Sequence, residues 1–193
     1  MIDEFAKGYL HDALRSARRS LLATLDGLSE FDARRPLTGT GTNVLGLLKH
    51  LSITEARYLG EVVGRPLRSV SLPRFEDPGY HNRDHLWVRP EETRADIVAA
   101  YQRAGRHADE TIDALPIDAP GLVPWWPRPQ VMLFNVLVHV LIETSRHAGH
   151  ADILREQSDG AFGSPPAPPA DPEDWARHRA RVEQAARLAG GLD

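Results

Sequence analysis

Residues 131–156 read VMLFNVLVHVLIETSRHAGHADILRE, and this stretch decides the fold. Its first half, Val131 to Ile142, is apolar almost all round, and a helix of that kind belongs at the centre of a bundle. Its second half carries charge, and the whole segment predicts a helix over about residues 130–157. On this otherwise greasy rod, His139, Glu143, His147 and His150 fall within roughly one quarter of the surface at about 100° per residue.

Working outward, Leu10, Leu14, Ala17, Leu21, Leu25 and Leu28 recur at spacings of three and four, which predicts a first helix over about Ile2–Leu28. Pro36 and the TGTGT run break it. Thr42 or Asn43 can cap a second helix reaching to about Val63, before Gly64 and Pro66. Residues 67–90 show no sustained period and read as a long loop. Pro90, with Glu91 and Glu92 in the first turn, opens a third helix ending near Leu115, with Ile97, Ala100, Tyr101, Ala104, His107, Ala108 and Ile112 inward. A second proline-rich loop, PGLVPWWPRP, leads to the central helix.

After Gly160 the tract GSPPAPPADP is a semi-rigid spacer, and Asp171-Pro172 opens a polar helix expected to pack on the bundle through Trp175, Val182 and Leu188. No internal repeat, Gly-rich phosphate loop or convincing strand pair is read. The expected architecture is all-α: a four-helix bundle with long loops over residues 1–159, and a spacer with a short helical appendage over 160–193.

Composition narrows the function. The chain has 193 residues, enough for one core, and 23 basic against 27 acidic side chains give a net charge of −4. That balance argues against nucleic acid as the main partner. With no cysteine, structural disulfides, thiolate metal sites and cysteine nucleophiles are excluded, so a metal must be held by His and carboxylate. No stretch reads as a signal peptide or membrane span, and a cytoplasmic location is expected.

Glu143 and His147, one turn apart, can reach a single ion together, and His50 at the margin of the second helix's apolar face is the natural third ligand if the two helices are neighbours. Spacing alone leaves open that His50 is an ordinary core histidine and that Glu143 and His147 merely support their helix. No His-Glu-x-x-His motif is present. Glu55, on the apolar face of the second helix, reads either as support for the site, bound by Arg146 or a ligand imidazole, or equally as half of an interhelical salt bridge. His139 and His150 are reserve ligands or supporting groups. Tyr80, Trp87, Trp125 and Trp126 on the two loops are candidate substrate contacts, although tryptophans in loops more often roof a core. His81 and His85 have metal-like spacing in a charged loop and are weak ligand candidates.

The phrases GTNVLGLLKHLSITEARYLGEVVGRP and VLVHVLIETSRHAGHADILRE resemble the DinB-like superfamily of four-helix metal-binding proteins, in particular an actinobacterial branch first named after a mini-circle protein. The resemblance covers about Leu10 to Glu156. It implies a metal held by one His of the second helix and two residues a turn apart on the last, here His50, Glu143 and His147. The His-Glu-His set is similar to that of mycothiol-dependent maleylpyruvate isomerase, which implies zinc, nickel or another divalent ion. Related members activate a low-molecular-weight thiol such as mycothiol, and with no cysteine in the chain a thiol must come from outside.

The resemblance therefore implies a metal-dependent thiol S-transferase or isomerase acting on a small electrophile, in a chain that can pair as a homodimer. The isomerases carry a further C-terminal domain that contributes to their site. Only about 34 residues follow the bundle here, so maleylpyruvate itself is not the expected substrate. Two other readings stay open: a hydrolase using metal-activated water, and a non-catalytic metal-binding helical protein.

Overall fold

The structure is a computed structural model that describes residues 4–68, 72–73, 77–163, 165–168 and 170–192, without the side chain of Tyr80. It is all-α apart from one short strand pair. Four long helices form the bundle: α1 (Glu4–Ala23), α3 (Val44–Tyr58), α5 (Arg94–Ala114) and α6 (Leu133–Asp159). Short α2 (Glu30–Arg34) and α4 (Pro78–His81) lie in the connections, and α7 (Pro172–Ala189) follows the bundle. Helix α3 packs against both α5 and α6, and α6 packs against α1, so α3 and α6 are neighbours.

Several helix ends differ from the sequence reading, each for a local reason. Helix α1 stops at Ala23 because the Thr24 and Leu25 N–H groups bond only three residues back and Gly27 turns the chain at φ 76°. Leu25 and Leu28 still reach the core from the turn. Asn43 is the cap of α3, its side-chain oxygen accepting from the Gly46 N–H at 2.8 Å. Helix α3 ends at Tyr58, and the next residues form a 3-10 turn at Glu61–Val63 closed by Gly64.

Pro90 does not open α5. Thr93 does, accepting from the Asp96 N–H at 3.1 Å, while Glu92 is held back in the loop by the Arg89 N–H at 2.7 Å and Lys49 Nζ at 2.8 Å. Of the expected inward residues, Ile97, Tyr101, Ala104, Ala108 and Ile112 are buried, whereas Ala100 and His107 are only partly so.

The sequence reading found no strand pair, yet β1 (Pro120–Leu122) and β2 (Gln130–Met132) pair antiparallel across the PGLVPWWPRP loop. Three-residue strands in a proline-rich tract leave no alternation to read, and Pro120 is tolerated at a strand's first position. Residues 130–132 are thereby taken from the central helix, whose start is fixed when Asn135 accepts from the Met132 N–H at 2.9 Å.

The core lies in two halves. One gathers Leu21, Leu45, Leu48, Leu51, Ile97, Tyr101, Ala151 and Leu154. The other gathers Leu14, Leu59, Ile112, Val123, Leu133, Leu137 and Val140. A polar layer separates them: Arg18 lies between Leu14 and Leu21 on α1, Glu55 on α3 between Leu51 and the capping residue Leu59, and Asp109 between Tyr101 and Ile112 on α5. The guanidinium of Arg18 joins all three helices, with Nε 2.9 Å from Glu55 Oε1 and Nη1 2.5 Å from Asp109 Oδ1.

Helix α7 corrects the tail reading. It has no buried residue, and Trp175, Val182 and Leu188 are 50%, 56% and 72% exposed rather than packed. The Trp175 ring meets Phe162 at 5.3 Å. Its residues EDWARHRARVEQAARL alternate charge too densely to offer the bundle a continuous apolar face.

Candidate metal centre

Helices α3 and α6 bring His50, Glu143 and His147 together. One ligand atom from each lies within 4.8 Å of the other two, and among the described residues no other three His, Cys, Asp or Glu side chains converge in this way. Glu143 Oε2 is 3.4 Å from His147 Nε2, as expected for residues one turn apart. The His50 ring meets that of His147 edge-on, at 5.1 Å between centroids.

His50 Nδ1 is buried and has no hydrogen-bond partner, an unusual and costly state for an imidazole nitrogen unless a ligand completes it. Burial, reinforced by the neighbouring His147, His85 and Arg57, pushes the His50 pKa down to about 4. Burial also lowers His147, against the upward pull of Glu143. Both imidazoles are therefore held in the neutral form that a metal requires.

A cavity of about 220 Å³ opens beside these groups, with His50 and Glu143 in its wall together with Thr54, Arg57, Tyr58 and His139. A larger cleft of about 640 Å³ lies under α7 between Glu156, Phe162 and Trp175. It holds no converging ligand set, so the chemistry points to the smaller cavity.

The remaining candidates divide. His139 is half-buried between aromatic rings, 4.5 Å from Tyr58 and 5.0 Å from Trp126 by centroid, and so forms a wall of the cavity. His150 is exposed, its Nδ1 3.3 Å from His147 Nδ1. Trp125 donates its indole N–H to the Tyr58 hydroxyl at 3.1 Å, and Trp126 stacks obliquely on the same ring at 5.8 Å, so both reach the cavity through Tyr58. Trp87 is 41% exposed and lends its carbonyl to Lys49. The Tyr80 side chain lies outside the described residues, and His81 is exposed at the end of α4.

His85 comes closer than the sequence reading allowed. The 3-10 turn at Asp84–Leu86 sets its ring 5.8 Å from that of His50, because Gly46, which has no side chain, lets the Leu86 carbonyl rest on α3.

Glu55 is placed away from the site. Five residues from His50, it projects about 140° around α3 and is 0% exposed, facing α1. Its partner is Arg18, with Nη2 2.7 Å from Oε2, whereas Arg146 is exposed on α6. The interhelical salt bridge is thus the reading that the structure supports. Burial pushes the Glu55 pKa up while Arg18 pulls against it.

Sequence reasoning missed Arg57. It follows His50 by two helical turns, so the two side chains project within about 20° of each other. That spacing was the available signal. Arg57 is 7% exposed, donates to the Pro73 carbonyl and lies over the Trp125 ring at 5.8 Å.

With this geometry in place, comparison with known families finds that residues 9–160 match the family model described as Mycothiol-S-transferase. Comparison with curated proteins finds no match. No helix among the described residues is long and apolar enough to cross a membrane.

Proposed function

The chain belongs to the mycothiol-S-transferase family, within the DinB-like superfamily, and from that premise we propose that it is a divalent-metal-dependent enzyme transferring a mycothiol-type thiol to a small electrophile. The observation that carries the metal is His50 Nδ1, buried without a partner beside Glu143 and His147. Two neutral imidazoles and one carboxylate suit zinc or nickel, and three protein ligands leave a position open. When bound, the ion supplies a Lewis acid that lowers the pKa of a coordinated thiol toward neutrality.

The chain's own residues do the rest. Glu143 offsets part of the ion's charge, and its Oε2 lies 3.4 Å from His147 Nε2, close enough for both to reach one ion. Tyr58 and His139 wall the cavity, their rings 4.5 Å apart by centroid, and offer the substrate an aromatic surface. The chain has no cysteine, so the sulfur nucleophile arrives with the co-substrate. In the transfer the sulfur bonds to the electrophilic carbon, the leaving group departs with the electrons of the bond that breaks, and the thiol proton passes to solvent.

Thiol consumption by metal-loaded protein, with and without the electrophile, tests this reading. Wild type is expected to exceed the uncatalysed rate, and His147→Ala to lose at least about tenfold of that excess, as expected when a metal ligand is removed. Equal rates for the two proteins would defeat it. Electrophile turnover without any added thiol would favour the hydrolase reading instead.

A further inference from the structure

The tip between β1 and β2 carries two adjacent tryptophans, and their surroundings differ. Trp126 is partly buried against the core half that holds Val123, Leu133 and Leu137, so roofing the core accounts for it. It does not account for Trp125, which is 40% exposed. Trp125 is nonetheless held in place: its indole N–H donates to the Tyr58 hydroxyl at 3.1 Å, and the Arg57 guanidinium lies 5.8 Å from its ring. Pro124, Pro127 and Pro129 stiffen the tip, which the Val123 N–H closes by donating to the Pro129 carbonyl at 2.8 Å. An exposed aromatic face fixed in advance loses little freedom when a ligand covers it.

Tyr58 joins this face to the metal centre, because it also walls the cavity shared by His50 and Glu143. That cavity, about 220 Å³, is smaller than the roughly 300–1,000 Å³ of pockets that enclose a drug-sized ligand. Mycothiol is a cysteine amide of an amino sugar joined to a cyclitol, so its sulfur end fits the cavity and its polyol rings do not. The cysteinyl amide sets the first sugar ring roughly 6 Å from the sulfur, enough to bring that ring out at the cavity wall. The C–H faces of such rings are apolar and pack on an aromatic face, while their hydroxyls stay in water or reach Arg128, exposed at the same tip.

We infer that the tip of the β1–β2 hairpin is the docking platform for the polyol half of the thiol co-substrate, and that Trp125 is the specificity-determining residue that favours a sugar-bearing thiol over a simple one. The inference rests on the transferase reading of the same site.

S-methyl mycothiol and its sugarless counterpart, N-acetyl-S-methylcysteine methylamide, test the platform by calorimetry on purified protein. Methylation removes the thiolate, so the comparison isolates the polyol half from the metal. Wild type is expected to bind the sugar-bearing ligand about tenfold or more tighter, Trp125→Ala to lose most of that preference and Trp125→Phe to keep part of it, with melting curves checking that each variant folds. Equal binding of the two ligands by wild type, binding of neither, or an undiminished preference in folded Trp125→Ala overturns the inference. A second measurement needs no variant: by NMR the Trp125 indole N–H resonance of wild type should move with S-methyl mycothiol and stay still with the sugarless ligand. A resonance that ignores both, or follows both equally, overturns the inference too.

Turnover with monochlorobimane separates this inference from the reading beneath it. The S–C bond forms as the C–Cl bond breaks, chloride leaves with the electron pair, and the thiol proton goes to water. Metal-loaded protein that accelerates mycothiol and N-acetylcysteine equally overturns the inference and leaves the transferase reading intact. If wild type shows the sugar preference and the indole shift yet accelerates neither thiol, the platform stands and the transferase reading fails.

Discussion

Replacing Arg18 by Met should be the most damaging single change outside the site. Arg18 closes the polar layer at mid-bundle, with Nε 2.9 Å and Nη2 2.7 Å from the two Glu55 oxygens and Nη1 2.5 Å from Asp109. Glu55 is 0% exposed, so the substitution leaves a carboxylate with no water to replace its partner. Removing one member of a buried pair typically costs about 3–5 kcal/mol, a large share of a domain's total of about 5–15 kcal/mol. At about 2–4 °C per kcal/mol for a chain of this length, the melting temperature should fall by roughly 6–20 °C.

The loss should depend on pH with a definite sign. Burial raises the folded-state pKa of Glu55, so the ionised form is penalised in the fold. Without Arg18 that penalty is unopposed and grows as pH rises above the unfolded glutamate value of about 4.3. Thermal melts at pH 5 and pH 8 should therefore show a larger deficit at pH 8. Arg18→Met combined with Glu55→Leu should recover most of the stability, because an apolar pair can replace a buried ion pair. Metal content should not change in any of these proteins. An Arg18→Met protein that melts like wild type, or one that loses metal while keeping its stability, would refute the structural assignment of Glu55.

Asp109 gives a second pH signature. Burial works against its charge, but hydrogen bonds from His11 and Arg18 hold its carboxyl well below the usual range, so its stabilising contribution is present above about pH 4 and is lost as pH falls toward its folded value. Asp109→Asn should cost roughly 1–2 kcal/mol at pH 7, allowing for its partial exposure, and flatten the acid limb of a stability–pH curve measured by denaturant melts. Gly46→Ala would drive a methyl group into the Leu86 carbonyl. About 1–3 kcal/mol should be lost, and the His85 ring resonances should shift by NMR as the 3-10 turn is pushed off α3. Removing residues 171–193 takes away no buried side chain among the described residues, so the melting temperature should stay within about 3 °C.

The four-helix bundle was legible because the periods of α1, α3 and α5 are strong and the first half of α6 is apolar, although α6 is no central rod: it packs on α1 and α3 and leaves Ile142 58% exposed. The juxtaposition of His50 with Glu143 and His147 was legible from one-turn spacing on α6 once α3 and α6 were taken as neighbours. What escaped depends on tertiary partners. Glu55 could be placed on a face of its helix, but only the reach of the Arg18 side chain from α1 into the bundle interior reveals its partner. His85 belongs to a loop without a period, and its approach to His50 depends on the missing side chain of Gly46. Arg57 was hidden by its residue type, since an arginine near a helix end is read as a solvated charge until the walls around it are seen. The start of α5 was misread because Pro90 and Thr93 are both good helix openers, and the ties of Glu92 to Lys49 and the Arg89 N–H choose between them.

Elemental analysis of protein purified without chelators or metal-affinity resin is the most direct test of the whole account. One equivalent of a divalent transition metal per chain is expected in wild type, falling to a small fraction of that in a folded His50→Ala variant. Wild-type protein that carries no such metal, takes up none on dialysis against zinc or nickel and gains no thermal stability from either would contradict it.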